Sequence, residues 1–165
     1  MRRDGSLLTV VFLKPGEIAV SSEPMRVTTL LGSCVAVTLF NPRLRLGAIC
    51  HALLPSCHKD ASCSNLDSGK YVECAIAIML EEFRTRGVLT GEIEAKLFGG
   101  SDMFDMVDGR RLSVGRQNMD MAEQVLERAA VRVLTRDLGG PRGRKIIFHS
   151  HTGEVFLKRL RKTEI

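Results

Sequence analysis

Cys34 opens one apolar run and His51 lies within the next, and a thiol beside an imidazole is a pairing suited to covalent attack on amides and esters. The thiolate is the nucleophile, while a nearby imidazole lowers the thiol pKa and later protonates the leaving group. Thr28-Thr-Leu-Leu-Gly32-Ser33-Cys34 leads into Val35-Ala-Val-Thr-Leu-Phe40. Asn41-Pro42-Arg43-Leu44-Arg45 reads as a turn, and Leu46-Gly-Ala-Ile-Cys50-His51-Ala-Leu-Leu54 follows. If that turn joins adjacent antiparallel strands, Cys34 and His51 lie side by side. Gly32-Ser33 permits a tight turn that presents Cys34 at a strand's start, with its own backbone N–H toward an oxyanion. The same residues also fit a structural role. A free cysteine packs as a small hydrophobe, an imidazole between Ile49, Cys50, Ala52 and Leu53 fits a hydrogen-bonded core, and Thr28 alone is a strand threonine. Pattern alone leaves both readings open.

Other chemistry-bearing residues point less far. The five cysteines, at 34, 50, 57, 63 and 74, are an odd number, which argues against a complete disulfide framework and for reduced thiols. Cys57-His58 with Cys63 suggests zinc, but the spacing is wider than a structural knuckle and no second Cys-x-x-Cys or His pair accompanies it. We therefore expect no metal and no cofactor, and read residues 56–68 as a polar loop. Gly99-Gly100 and Gly139-Gly140-Pro-Arg-Gly-Arg144 match no phosphate-binding pattern and read as turns, candidates for the rim of a site. His149 and His151 read as surface or turn histidines. The net charge of +5 and Lys158-Arg-Leu-Arg-Lys162 invite a nucleic-acid reading. With no tryptophan, one tyrosine and no recognition motif, a solvated basic tail or a surface for an acidic protein fits better.

The elements that must position these residues follow from periodicity and breakers. Short β-branched runs predict strands at 7–13, 17–20, 25–31, 34–40 and 46–54, then at 92–98, 131–138, 145–150 and 154–160. His151-Thr152-Gly153 reads as the link of a closing hairpin. Val72, Ile76, Met79, Leu80 and Phe83 share a helical face in a segment that begins after Gly69 and ends at Arg86, with Gly87 as the stop. A second helix is predicted over 118–130, with Asn118 as N-cap. Strands joined by turns too short for parallel crossovers give an α+β fold with largely antiparallel pairing. At 165 residues the chain suits a single domain, and 44% hydrophobic with 26% charged residues is the composition of a folded one. No apolar stretch approaches the roughly 20 residues of a membrane helix, and the start lacks a small-residue cleavage site, so a cytoplasmic protein without membrane insertion is expected.

Five segments together carry a family resemblance: Thr28 to Cys34, Gly47-Ala-x-x-His51-x-x-Leu54-Pro55, Lys96-Leu-Phe-Gly99-Gly100-Ser-x-Met103-Phe104, Val114-Gly115-Arg-x-Asn118 and Gly139-Gly140-x-Arg142. In this order, from about residue 15 to about residue 158, the chain resembles the CheD family of chemoreceptor glutamine deamidases. Ser101-Asp102 departs from the family's usual small pair, and Cys50, Cys57 and Cys63 are extra thiols. The resemblance implies two packed, largely antiparallel β-sheets with helices outside, similar to deamidating toxin catalytic domains. It also implies a Cys-His-Thr triad at Cys34, His51 and Thr28. The implied reaction is hydrolysis of glutamine to glutamate on chemoreceptor cytoplasmic helices through a Cys34 thioester, with a CheC-type phosphatase as a further partner and no nucleic acid. Two other readings are carried beside it: a non-catalytic adaptor for a phosphatase or receptor, and a thiol redox sensor built on Cys50, Cys57 and Cys63 near Cys34.

Overall fold

The strand pattern sorts into two sheets because apolar residues recur at every second position in some strands and at every position in others. In a computed structural model that describes residues 8–57, 68–102 and 113–161, the elements are β1 (Thr9–Phe12), β2 (Ile18–Ser21), β3 (Met25–Leu31), β4 (Val35–Asn41), β5 (Leu46–Ala52), α1 (Val72–Thr85), β6 (Glu94–Gly99), α2 (Val114–Arg128), β7 (Arg132–Leu138), β8 (Arg144–His149) and β9 (Val155–Arg159). A four-stranded sheet runs β1-β3-β8-β9, and a five-stranded sheet runs β2-β5-β4-β6-β7. β1 with β3 and β6 with β7 pair in parallel; the other pairings are antiparallel. The expected α+β architecture of two packed, largely antiparallel sheets with helices outside is the one observed.

β4 and β5 are buried along their full length because both faces of the five-stranded sheet are covered. Val35, Val37 and Leu39 of β4, with Leu46, Ala48, Cys50 and Ala52 of β5, pack against Val72, Ile76, Met79 and Phe83 of α1 and Ala122 and Leu126 of α2. The alternate residues Ala36 and Ile49, with Phe98 of β6, face the other sheet and meet Val27, Leu31, Ile146 and Phe148. This layer also takes in Leu13 and Cys34. The outer face of the four-stranded sheet stays open, and Val10, Phe12, Leu30 and Phe156 are exposed there. Each fully buried Leu, Val, Phe or Met contributes roughly 1.5–3 kcal/mol of hydrophobic stabilisation before the entropy of ordering the chain is subtracted.

Boundaries differ from expectation mainly at helix starts. α2 begins at Val114, capped by the Ser113 hydroxyl accepting from the Arg116 N–H at 3.1 Å. Asn118 therefore lies one turn inside the helix rather than at its N-cap. The first predicted helix splits into a 3-10 turn (Ser68–Lys70) and α1. Gly87, at φ 79°, ends α1 as expected. Part of the expected basic tail is structured: Lys158 and Arg159 belong to β9, and Arg159 pairs with Asp137 at 2.6 Å. No helix among the described residues is long and apolar enough to cross a membrane.

Candidate active site

The antiparallel hairpin β4–β5 sets Val35 opposite Ala52 and Ala36 opposite His51. Cys34, two positions before Ala36, shares that residue's face, so Cys34 and His51 are diagonal neighbours in the layer between the sheets, a separation long side chains can bridge. Both are enclosed: His51 is only 3% exposed, and Cys34 is half-buried against the inter-sheet core.

β3 of the opposite sheet supplies the third group. The hydroxyl of Thr29 lies 2.6 Å from Nδ1 of His51 and 2.8 Å from the carbonyl oxygen of Leu13. A hydroxyl has one proton, and a carbonyl only accepts, so that proton goes to Leu13. Nδ1 of His51 must then donate its N–H to Thr29. This fixes the neutral tautomer with its lone pair on Nε2, the state a general base requires. The threonine expected in this role was Thr28. Residues on a strand alternate faces, and Met25, Val27, Thr29 and Leu31 point inward while Thr28 points to the outer face, where it pairs in register with Phe12 and Ile147. The one-residue shift is thus a matter of strand parity.

The resting charge state also differs from the expected thiolate–imidazolium pair. Burial lowers the His51 pKa to about 4. Burial likewise raises the Cys34 thiol above its ordinary 9.0, opposed only by the Cys34 backbone N–H turned toward its sulfur. Removing both groups from water disfavours their charged forms, so at neutral pH the pair rests as thiol and imidazole. Cys50, fully enclosed on the helical face of β5, is pushed up to about 12 and is inert at neutral pH. Cys57 is disulfide-bonded, whereas Cys34, Cys50 and Cys74 are free; an odd number of cysteines rules out complete pairing, not a single bridge. Cys63, like His58, lies outside the described residues. Among the described residues no cluster of His, Cys, Asp or Glu has the arrangement of a metal site.

Three glycine turns hold the Cys34 backbone. The Gly100 N–H donates to the Cys34 carbonyl at 2.8 Å, and the Ser101 N–H to that of Gly32 at 3.0 Å. Gly99 adopts φ 103°, and a Cβ there would collide with the Cys34 carbonyl oxygen, so only glycine permits this approach. The Gly139 turn closes on the same place through its N–H to Gly99 O at 2.9 Å. Arg144, 3% exposed, ties the turns together by donating to Gly139 O at 2.6 Å, Gly99 O at 3.3 Å and Asp137 at 2.7 Å. From α2, the Asn118 amide donates to the carbonyls of Ser33 at 3.0 Å and Leu53 at 2.9 Å. Sequence reading took the Gly99 and Gly139 segments as turns at the rim of a site, and Asn118 as a helix N-cap, besides counting them as motif members. The contacts of Thr29, Arg144 and Asn118 join residues distant in the chain and leave no local signal.

The fold and site together define a class: an α+β protein whose two sheets enclose a thiol–imidazole–hydroxyl constellation. The family model described as CheD chemotactic sensory transduction matches residues 53–159. "Probable chemoreceptor glutamine deamidase CheD 2" of Geobacter sulfurreducens is 49% identical over 154 residues, covering 93% of this chain and 92% of that one. A relative with the same deamidase name in Maridesulfovibrio salexigens is 38% identical, with 98% of each chain covered. The chain belongs to the CheD family.

Proposed function

We propose that this chain hydrolyses glutamine side chains on chemoreceptors to glutamate, with Cys34 as nucleophile and His51 as proton carrier. The observation that carries the reading is the Leu13–Thr29–His51 chain of hydrogen bonds, which leaves Nε2 of His51 as a base on the face of the sheet that bears Cys34. The relatives' printed names supply the substrate class.

Because the pair rests neutral, the first step is general base catalysis. His51 takes the Cys34 proton as sulfur bonds to the carboxamide carbon, and the carbonyl oxygen becomes an oxyanion. The imidazolium then gives that proton to the amide nitrogen, the C–N bond breaks, and ammonia leaves a thioester. Water attacks the thioester while His51 accepts one of its protons. Collapse expels the Cys34 sulfur, which recovers the proton, and leaves glutamate. Thr29 positions the ring throughout; as a neutral acceptor it stabilises the imidazolium less than a carboxylate would.

A glutamine on a receptor helix has little freedom left to lose, so docking the helical surface aligns its carboxamide. Incubating the protein with a chemoreceptor cytoplasmic fragment should convert specific glutamines to residues about 1 Da heavier, as amide becomes acid. Hydrolysis of free glutamine with receptor glutamines untouched would instead mark a small-molecule amidohydrolase.

A further inference from the structure

We propose that Asn118 is a positioning residue that aims the Cys34 backbone N–H at the oxyanion, although it sits on the opposite side of the five-stranded sheet from the thiol. The idea rests on the covalent step proposed above and adds a residue and a role to it.

Three observations carry it. Asn118 is fully buried, and both protons of its amide nitrogen are committed to carbonyls at the mouth of the β4–β5 hairpin, those of Ser33 and Leu53. These two carbonyls lie just beyond the last paired residues, Val35 and Ala52, where the ladder opens. The Ser33 carbonyl belongs to the same peptide group as the Cys34 N–H. In a trans peptide the C=O and N–H point in opposite directions, and the chain contains no cis bond among the described residues. Drawing Ser33 O toward α2 therefore turns the Cys34 N–H away from α2, to the inter-sheet side where Cys34 packs. Finally, among the turn and loop bonds of the described residues the Cys34 N–H donates to no carbonyl, although its own carbonyl and the Gly32 carbonyl are both taken. A donor held beside the sulfur, its contact there confined to the same residue, is what an oxyanion forming on the attacked carbon needs. Donation from Asn118 to Ser33 O also polarises that peptide and strengthens its N–H as a donor.

Among the described residues the Asn118 side-chain oxygen finds no partner, and it is shielded from solvent. A leucine would fill the same space without that orphaned acceptor, so hydrogen donation to the two carbonyls is the asset that offsets it.

The test compares two reactions of the same sulfur. Alkylation by iodoacetamide displaces iodide at a saturated carbon and forms no oxyanion. Acylation by p-nitrophenyl acetate passes through a tetrahedral oxyanion before p-nitrophenolate leaves. Modification at Cys34 is read by peptide mass spectrometry, so Cys74 does not confuse the result. Asn118→Ala should slow acylation by about tenfold or more while changing alkylation by less than about twofold. Equal slowing of both would reduce Asn118 to a support for the thiol, and slowing of neither would remove it from the site; both results overturn the proposal. Asn118→Asp serves if the alanine variant does not fold. Its protonated form keeps one donor and its ionised form none, so the acylation-to-alkylation ratio, normalised to the parent protein, should fall as pH rises; a flat ratio counts against the proposal. Neither reaction requires a receptor. A split between them, with no deamidation of receptor fragments by the parent protein, would preserve this inference while overturning the proposed function.

Discussion

A single residue step along β3 decides which threonine meets His51. Thr29 carries the hydrogen bond to Nδ1, so Thr29→Ala should lower kcat by about 10–100-fold, through loss of ring orientation and tautomer control. Thr28→Ala, on the outer face, should stay within about twofold. Steady-state ammonia release from a receptor fragment measures both, and the reverse order would restore Thr28 to the triad. The thiol offers a second check. Burial raises its pKa above 9.0, so in the free protein iodoacetamide should alkylate Cys34 ever faster as pH rises through 9. A plateau already reached at pH 7 would show a resting ion pair. His51 adds a linkage effect. Its folded pKa, about 4, lies below the ordinary 6.5, so between these values the unfolded chain binds a proton that the folded chain does not. The contribution is fully present above pH 6.5 and is lost as pH falls toward 4. Between pH 7 and pH 5 it should remove about 2 kcal/mol from the unfolding free energy. Urea titrations should show that part of the loss absent in His51→Gln. Cys34 stood out because it opens an apolar run after a Gly-Ser turn, and His51 because it is an imidazole inside the next apolar run; the family resemblance joined them. The threonine was not, because motif position counts residues and a strand presents only every second one.

At the scale of elements, the site exists because three turns converge on the start of β4. Gly99→Ala would set a Cβ against the Cys34 carbonyl oxygen at a backbone angle that L side chains rarely adopt. It should cost roughly 2–4 kcal/mol of stability, or displace Cys34. Gly91→Ala, where a Cβ meets nothing within 4 Å, is the control and should stay within about 1 kcal/mol. Urea midpoints for the pair decide it; equal effects would deny the close approach of the two turns. Most strands were legible from β-branched runs and breakers, and the bounds of β3 match the expected 25–31. Helix starts were less so. Asn118 resembles a cap by composition, yet Ser113 accepts the capping bond and frees Asn118 to reach across to β4 and β5. The distinction depends on where the helix axis lies, which tertiary packing fixes rather than local preference.

For the molecule as a whole, layering explains how a thiol–imidazole pair can be buried without interrupting the helical core. The helices cover one face of the five-stranded sheet and the second sheet covers the other, so Cys34 and His51 are desolvated without belonging to the main helical core. That placement keeps both neutral at rest, and in the proposed reaction charge separation would wait until a carbonyl is present to receive it. The α+β class and largely antiparallel pairing were legible from short strands and turns, whereas the two packed sheets were expected from the family resemblance. The crossing of the Thr29 contact from one sheet to the other was not, since sheet-on-sheet registration leaves no periodic trace in a chain. The central claim is that Cys34 forms a thioester with a receptor glutamine, and trapping with hydroxylamine tests it most directly. Hydroxylamine intercepts a glutamyl thioester as a hydroxamate about 16 Da heavier than glutamine, in competition with the water that yields glutamate. With the parent protein and a chemoreceptor cytoplasmic fragment, the same glutamines should carry both products, and Cys34→Ser should give neither. Glutamate formed at an undiminished rate by Cys34→Ser, with no hydroxamate from the parent protein, would contradict covalent catalysis by Cys34.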